Sequence, residues 1–343
     1  MPYTKVQQSK QQLWSSIFAG LALTSLPMVS QASVTQVELP VNDAGAYWHA
    51  VASADSNALW IGSNQGHIGR SEDGGATWNL SRPAGTINLP IAQIKAIDAR
   101  RAFALTQGSG ADTRLYHTRN GGFSWNRVYR GNGSETLRCF DLIPDAEAWV
   151  LGDGLNDNWH VVRSVNGRSW LASRSGFNQS LQQGEGVFNE SASCVRYAND
   201  TWAMGSAYGD NARLMVKSTN ALRFNVIDTP IAGPSAAVTA VFPLGNRDIV
   251  FTGGDLADTE ASALIYRWYE QEFTELPAPP LDGVLTNLTF QGQTMVVANH
   301  NGIAWTDNWG DDWESISTPT QQLSCNADTC FALGQEGVFR VDL

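Results

Sequence analysis

The sequence predicts an all-β protein, a seven-bladed β-propeller, on three observations: a turn-rich and aromatic-rich composition, a motif that returns at blade-like spacing, and one strand order inside every repeat. The 343 residues include 32 Gly, 13 Trp and 13 Phe, with only 16% charged. Glycine serves tight turns and aromatic residues favour strands, so this mixture suits short strands joined by hairpins better than long helices. The length fits a single large β domain.

The recurring motif is Ser-x-Asp-Gly-Gly-x-Thr-Trp. "SEDGGATW" (Ser71 to Trp78) is followed by "TRNGGFSW" (Thr118 to Trp125) and "SVNGRSW" (Ser164 to Trp170). Weaker copies are "STNALRF" (Ser218 to Phe224), "RWYEQEF" (Arg267 to Phe273) and "TDNWGDDW" (Thr306 to Trp313). The closing aromatics stand 47, 45, 54, 49 and 40 residues apart, a period that suits a blade of four strands.

Each period reads the same way. An alternating strand such as "WHAVASA" is followed by a turn, then by a strand ending in small residues such as "LWIGS". After a Gly/Asp/Asn loop come a third strand such as "HIGRS", the Asp-Gly turn, and a fourth strand opened by the aromatic. Such a unit cannot bury both faces alone, so the units must stack radially. Six full units span about 47–82, 92–130, 136–176, 187–230, 237–278 and 283–317. A seventh, 321–343, supplies three strands, and "VTQVELPV" (Val34 to Val41) is its expected fourth, which would close the ring without a free edge.

The motif reads as scaffolding. Asp73 can accept backbone N–H groups of its own turn while a glycine takes the positive φ, and Trp78 starts the next strand. Asn120, Asn166, Asn220 and Asn308 replace the aspartate in later copies. Asparagine does the same turn chemistry, whereas a catalytic carboxylate does not exchange so freely. The structural set is therefore Ser71, Asp73, Gly75, Trp78, Asn120, Gly122, Trp125, Asn166, Trp170, Asn308 and Trp313.

Residues 1–32 read as a secretory signal peptide. Lys5 and Lys10 lead, Leu13 to Val29 is largely apolar, and Ser30-Gln31-Ala32 is a small-x-small cleavage site. Ser15, Ser16, Thr24, Ser25 and Pro27 interrupt the apolar run, which argues against a permanent span, and no later segment is apolar enough for one. The expectation is an exported chain, periplasmic or extracellular, whose residues 33–343 form one domain. The whole chain carries 22 Lys+Arg and 33 Asp+Glu; without the two leader lysines the net charge is −13. That excess argues against nucleic acid and anionic lipid as partners. In an exported chain cysteines persist as disulfides, and Cys325 with Cys330 flank a four-residue turn. Cys139 and Cys194 begin similar segments of successive repeats and form the second expected pair.

The motif matches the Asp-box, or bacterial neuraminidase repeat, a turn between third and fourth blade strands. In the order of its blocks the chain resembles the photosystem II stability and assembly factor-like propellers. The blocks are "ALWIGSNQGHIGRSEDGGATW", "AFALTQGSGADTRLYHTRNGGFSW", "AWVLGDGLNDNWHVVRSVNGRSW", "GEGVF" (184–188) and "RDIVFTGGDL" (247–256), and they span nearly all of the mature chain. The resemblance implies a non-enzymatic exported propeller that holds a protein partner while a membrane or envelope complex assembles. It also implies a basic patch for that partner; this acidic chain has only Arg100 and Arg101 as an adjacent pair, so the client's identity and a photosynthetic role do not carry over.

The rival class is a sialidase-like glycoside hydrolase or glycan-binding protein. Such an enzyme needs an arginine ahead of its first Asp-box to clamp the substrate carboxylate, and residues 33–69 contain none. Arg114, Arg163 and Arg213 lie in third strands and read as surface side chains. The five histidines show no ligand spacing, and no metal or cofactor is expected. "GDGLNDN" (152–158) lacks the full calcium-loop pattern and reads as a solvated turn.

Hairpin alternation then selects a face. The second-to-third-strand loops fall on one rim and the Asp-boxes on the other. Four neighbouring blades thus offer Asp112, Asp153, Asp157, Asp210, Asp255 and Asp258 to the first rim, with Trp159 and Tyr208 among them. An acidic, aromatic-bearing rim of this kind is the expected partner-binding surface.

Overall fold

Seven four-stranded antiparallel sheets make up the computed structural model, which describes residues 32–41, 45–173, 176–188, 193–258 and 263–343. The expected signal peptide lies outside the described residues apart from Ala32. Blade 1 consists of Trp48–Ser53, Leu59–Ser63, Ile68–Ser71 and Asn79–Ser81. Blade 2 is Ile91–Ala96, Ala102–Thr106, Arg114–Thr118 and Asn126–Arg130, and blade 3 is Leu137–Leu142, Ala148–Leu155, Asn158–Ser164 and Trp170–Ser173. Blade 4 comprises Val195–Ala198, Thr201–Gly205, Asn211–Ser218 and Asn225–Ala232. Blade 5 comprises Ala236–Gly245, Asp248–Asp255, Leu264–Tyr269 and Glu272–Glu275. Blade 6 is Asn287–Gln291, Thr294–Asn299, Gly302–Thr306 and Glu314–Ile316. Blade 7 takes Gln322–Cys325, Cys330–Gly334 and Gly337–Asp342, with Ser33–Val37 as its outer strand. That strand runs antiparallel to the last one, Ser33 opposite Asp342 and Val37 opposite Val338.

The burial pattern explains the composition. Every residue of the second strands Leu59–Ser63, Ala102–Thr106, Thr201–Gly205 and Cys330–Gly334 is buried, because neighbouring sheets cover both faces. Fourth strands such as Asn126–Arg130 and Glu272–Glu275 lie outermost and are largely exposed. The core is therefore a set of layers between blades. Trp149 and Leu151 of blade 3 pack with Trp202 and Met204 of blade 4; Leu59 and Ile61 of blade 1 pack with Phe331, Leu333 and Val37. Each such side chain contributes about 1.5–3 kcal/mol by leaving water.

Polar side chains tie the ring together near the axis. Gln93 accepts the Phe140 N–H and donates to its carbonyl, and Asp141 accepts the Tyr197 N–H, joining blade 2 to 3 and 3 to 4. Thr239 donates to the Leu285 carbonyl, Asn287 accepts the Leu323 N–H, and Gln322 accepts the Val51 N–H. Trp60 to the Asp98 carbonyl and Asn199 to the Pro243 carbonyl complete the circuit. Both disulfides expected from the sequence form. Cys139–Cys194 links the inner edges of blades 3 and 4 with Cα atoms 6.1 Å apart, and Cys325–Cys330 closes the first hairpin of blade 7.

Between third and fourth strands, Asp73 accepts from Ser71 Oγ (2.7 Å), the Thr77 N–H (2.8 Å) and Thr77 Oγ1 (2.6 Å), while Ser71 Oγ accepts the Gly75 N–H (2.8 Å). Thr118, Asn120, Gly122 and Ser124 repeat this arrangement in blade 2, and Thr306, Asn308, Gly310 and Asp312 in blade 6. Ser164, Asn166 and Ser169 keep part of it in blade 3. Gly75 has φ 98°, and a Cβ there would collide with Val37, so its turn needs glycine twice over. Trp78 reaches the same outer strand, donating from Nε1 to the Glu38 carbonyl at 2.8 Å.

Candidate functional site

Antiparallel alternation puts the second-to-third-strand connections on one face, called here the loop face, and the third-to-fourth-strand turns on the opposite turn face. The central channel opens on both. Its loop-face mouth is a hollow of about 410 Å³ lined by Tyr47, His49, Gln107, Arg138, His300 and Gln321. Burial lowers the pKa of His49 from its ordinary value, partly offset by a hydrogen bond with Gln107, so the imidazole is neutral at pH 7. A second cleft, of about 390 Å³, lies between blades 3 and 4 and is lined by Arg138, Asp153, Asp157, Gln182 and Tyr208. Arg138 lines both, so the two hollows adjoin at its side chain, one toward the axis and the other toward the rim.

Asp153 fixes that arginine. Arg138 Nε and one terminal nitrogen donate to Asp153 Oδ2 at 2.9 and 2.5 Å, while Asp153 Oδ1 accepts the Val187 N–H at 3.3 Å. The pair is about three-quarters buried, so the carboxylate orients a cation and is not itself offered to a partner. Asp112, in a single 3-10 turn, pairs with Arg114 at 2.9 Å. Asp255 accepts the Ala257 N–H at 2.9 Å and remains exposed beside Asp258. Asp157 and Asp210 are exposed, and their carboxylates have no hydrogen bond or ion pair among the described residues. Tyr208 is 38% exposed and holds φ 67° while its N–H donates to the Ala236 carbonyl, a strained conformation that presents the ring to the cleft.

Besides Asp153, three sequence expectations change. Trp159 is 4% exposed and is not a rim residue. Its ring lies 5.1 Å from Phe177 and 5.2 Å from the Arg213 guanidinium, and its Nε1 donates to the Gln179 carbonyl. The connection between blades 3 and 4 covers it. Arg213 is likewise not a surface side chain: at 2% exposure it forms an ion pair with fully buried Glu185, Nε to Oε1 at 2.8 Å, and donates to the Ser180 carbonyl. "GDGLNDN" is less a loop than a hairpin, since Asn156 and Asp157 both take positive φ (51° and 58°) between strands that end at Leu155 and resume at Asn158. Sequence reading missed Arg138 and Glu185 as organisers. The only hint for Glu185 was its place between two glycines in "GEGVF".

At the turn-face end of the axis lies a hollow of about 250 Å³ lined by Lys95, Asp141 and Arg196 among others. Burial lowers the Lys95 pKa, and Asp141, 3.3 Å away, acts against that shift. Among the described residues no three His, Cys, Asp or Glu side chains converge as metal ligands. What the loop face offers is a fixed arginine, free carboxylates, a neutral histidine and two exposed tyrosines along these adjoining hollows, a set suited to holding an extended polar segment.

No family model matches the chain, and no curated protein matches it. Solved structures do. YCF48 bound to a D1 peptide superposes with a TM-score of 0.62 at 12% identity, over 91% of this chain and 94% of that one. YCF48 from Cyanidioschyzon merolae gives 0.62 at 15%, over 90% and 98%. BamB from Moraxella catarrhalis gives 0.55 at 11%, over 86% and 84%. At these identities the likeness is one of fold, the β-propeller.

Proposed function

We propose that this chain is a non-enzymatic, exported propeller that scaffolds the assembly of a membrane or envelope complex by holding a segment of a protein partner on its loop face. The observation that carries the reading is the meeting of two clefts at Arg138. A segment lying along them would reach the axis at one end and the exposed carboxylates of blades 3 to 5 at the other. The solved YCF48 complex with a D1 peptide supports it, since a propeller of similar fold takes a peptide partner. The disulfides accord with export.

Asp157→Lys, Asp210→Lys and Asp255→Lys combined reverse the exposed charge and leave the Arg138–Asp153 pair intact. The expected result is loss of most of the partner recovered after crosslinking in cells and mass spectrometry, with an unchanged thermal melt. Wild-type recovery would place the partner elsewhere. Turnover of a glycan that a single loop-face carboxylate substitution abolishes would replace the scaffold reading with an enzymatic one.

A further inference from the structure

The turn face has two chemistries. In blades 6 and 1 its third-to-fourth-strand turns are acidic, with Glu72, Asp73, Asp307, Asp311 and Asp312 exposed. In blades 2, 3 and 4 the same turns are apolar and basic. Phe123 is 89% exposed, Val165 62% and Leu222 93%; Leu171, just past the blade 3 turn, is 72% exposed. Phe123 and Leu222 stand at the motif position that holds Ala76 in blade 1 and Asp311 in blade 6. Phenylalanine and leucine contribute nothing to a turn whose hydrogen bonds come from its Ser, Thr and Asn neighbours. Their exposure is therefore unexplained by the fold.

Arginines alternate with these tips. Arg100, Arg127, Arg168 and Arg223 are exposed and have no ion pair among the described residues. Asp200, exposed beside the blade 4 turn, has no ion pair among the described residues and accepts the Tyr197 hydroxyl at 3.1 Å, whereas the other acids nearest these tips are matched. Asp145 pairs with Arg101 (2.8 Å) and Arg119 (3.6 Å), Asp98 with Arg101 (2.7 Å), and Glu147 with Arg163 (3.0 Å) and Lys217 (3.2 Å). Over a screening length of about 8 Å these cations outnumber the acids around the tips of blades 3 and 4, and Glu72 of the adjoining blade 1 is already paired with Arg70.

We propose that this edge of blades 2 to 4 docks on an anionic membrane surface, with Phe123 and Leu222 inserted at the interface and Arg168 and Arg223 against lipid phosphates. The tips are convex and lie on separate blades, so a protein partner would need a separate pocket for each. A bilayer interface deforms around them, and its anionic headgroups complement the arginines. The acidic turns of blades 6 and 1 would tilt away from the surface. The net charge of −13 argued against anionic lipid; the distribution of charge reverses that expectation on this one edge. Docking here leaves the loop face open, and it does not depend on the scaffold reading.

Co-sedimentation of the purified protein with vesicles tests it. Vesicles of phosphatidylcholine mixed with phosphatidylglycerol should bind about tenfold or more tightly than phosphatidylcholine alone, and raised salt should weaken the binding. Phe123→Ser with Leu222→Ser, and separately Arg168→Glu with Arg223→Glu, should each reduce it about tenfold while the melts stay unchanged. Absence of binding, equal binding to both vesicles, or wild-type binding by both variants would overturn the proposal. So would variants that lose a crosslinked envelope protein in the absence of vesicle binding, which would make the edge a protein interface.

Discussion

At the scale of the residue, the turns separate chemistry that must be present from chemistry that is interchangeable. Hydrogen bonds from the Thr77 side chain and backbone and from Ser71 hold the Asp73 carboxyl down to about 2. Asn120 and Asn308 accept the equivalent backbone N–H without carrying charge. Asp73→Asn should therefore leave the melting temperature nearly unchanged, and Asp73→Ala should lower it by about 1–2 °C, as removal of a cap-like bond of about 1 kcal/mol does in a domain of this size. A similar fall for both would show that the charge, not the acceptor, matters. His117 makes a second prediction. Burial first, then the nearby Arg119 and Arg101 against the opposing Asp145, lowers its pKa to about 4, and its ring stacks on Phe103 at 4.0 Å. The unfolded chain takes up this proton below about 6.5 and the folded chain only near 4. Stability from this group is thus complete above pH 6.5 and declines as pH falls toward 4. Melts of His117→Gln at pH 7 and 4.5 should differ by less than those of the wild type; equal differences would remove His117 as a source. The residues of such turns were legible because Ser, Asp, Asn and Gly act through their own backbone. His117 was not, since the burial that is the largest cause of its shift depends on how the sheets pack.

Among elements, the connection between blades 3 and 4 shows why Trp159 was misplaced. Alternation along Asn158–Ser164 says which residues share a face, but it does not say that 177–187 folds back over that face. The cover depends on one ion pair. Glu185 and Arg213 lie 28 residues apart and are both buried, and Gln182 donates its N–H to Glu185 Oε2. Removing one charge strands the other in a dry site, at a cost of about 3–5 kcal/mol. Glu185→Gln should therefore lower the urea midpoint substantially and admit protease to the connection, whereas Asp157→Asn, at an exposed turn, should do neither. A small change in midpoint for Glu185→Gln would mean that the cover is held mainly by the Trp159–Phe177 packing. Motif spacing made the blades legible, because each is built from local hairpins. It was silent about this connection, the part of the chain that departs from the repeat and shapes the cleft beside it.

For the whole molecule, the ring holds two gradients. One runs along the axis, between a loop face with free carboxylates around Arg138 and a turn face with cations at its channel mouth. The other runs across the turn face, from acidic turns to arginines and apolar tips. Neither follows from net charge, and both need the blades to keep their order around the axis, which places the burden on the one blade built from both ends of the domain. Its outer strand pairs residue by residue from Ser33–Asp342 to Val37–Val338, packs Val37 against Gly75 of blade 1, and leads to the Glu38 carbonyl that receives Trp78. Without it the last strand would expose unpaired N–H and C=O groups to solvent, and the layer between blades 7 and 1 would lose the Val37 contact with Leu59 and Phe331. Deleting residues 33–37 should therefore lower the melting temperature and promote concentration-dependent association through the bare edge, measurable by light scattering. A peptide of the sequence SVTQV, added in excess, should restore part of the lost stability by refilling the edge. An unchanged melt after deletion would mean that the six blades with wholly local strands hold the ring closed by themselves.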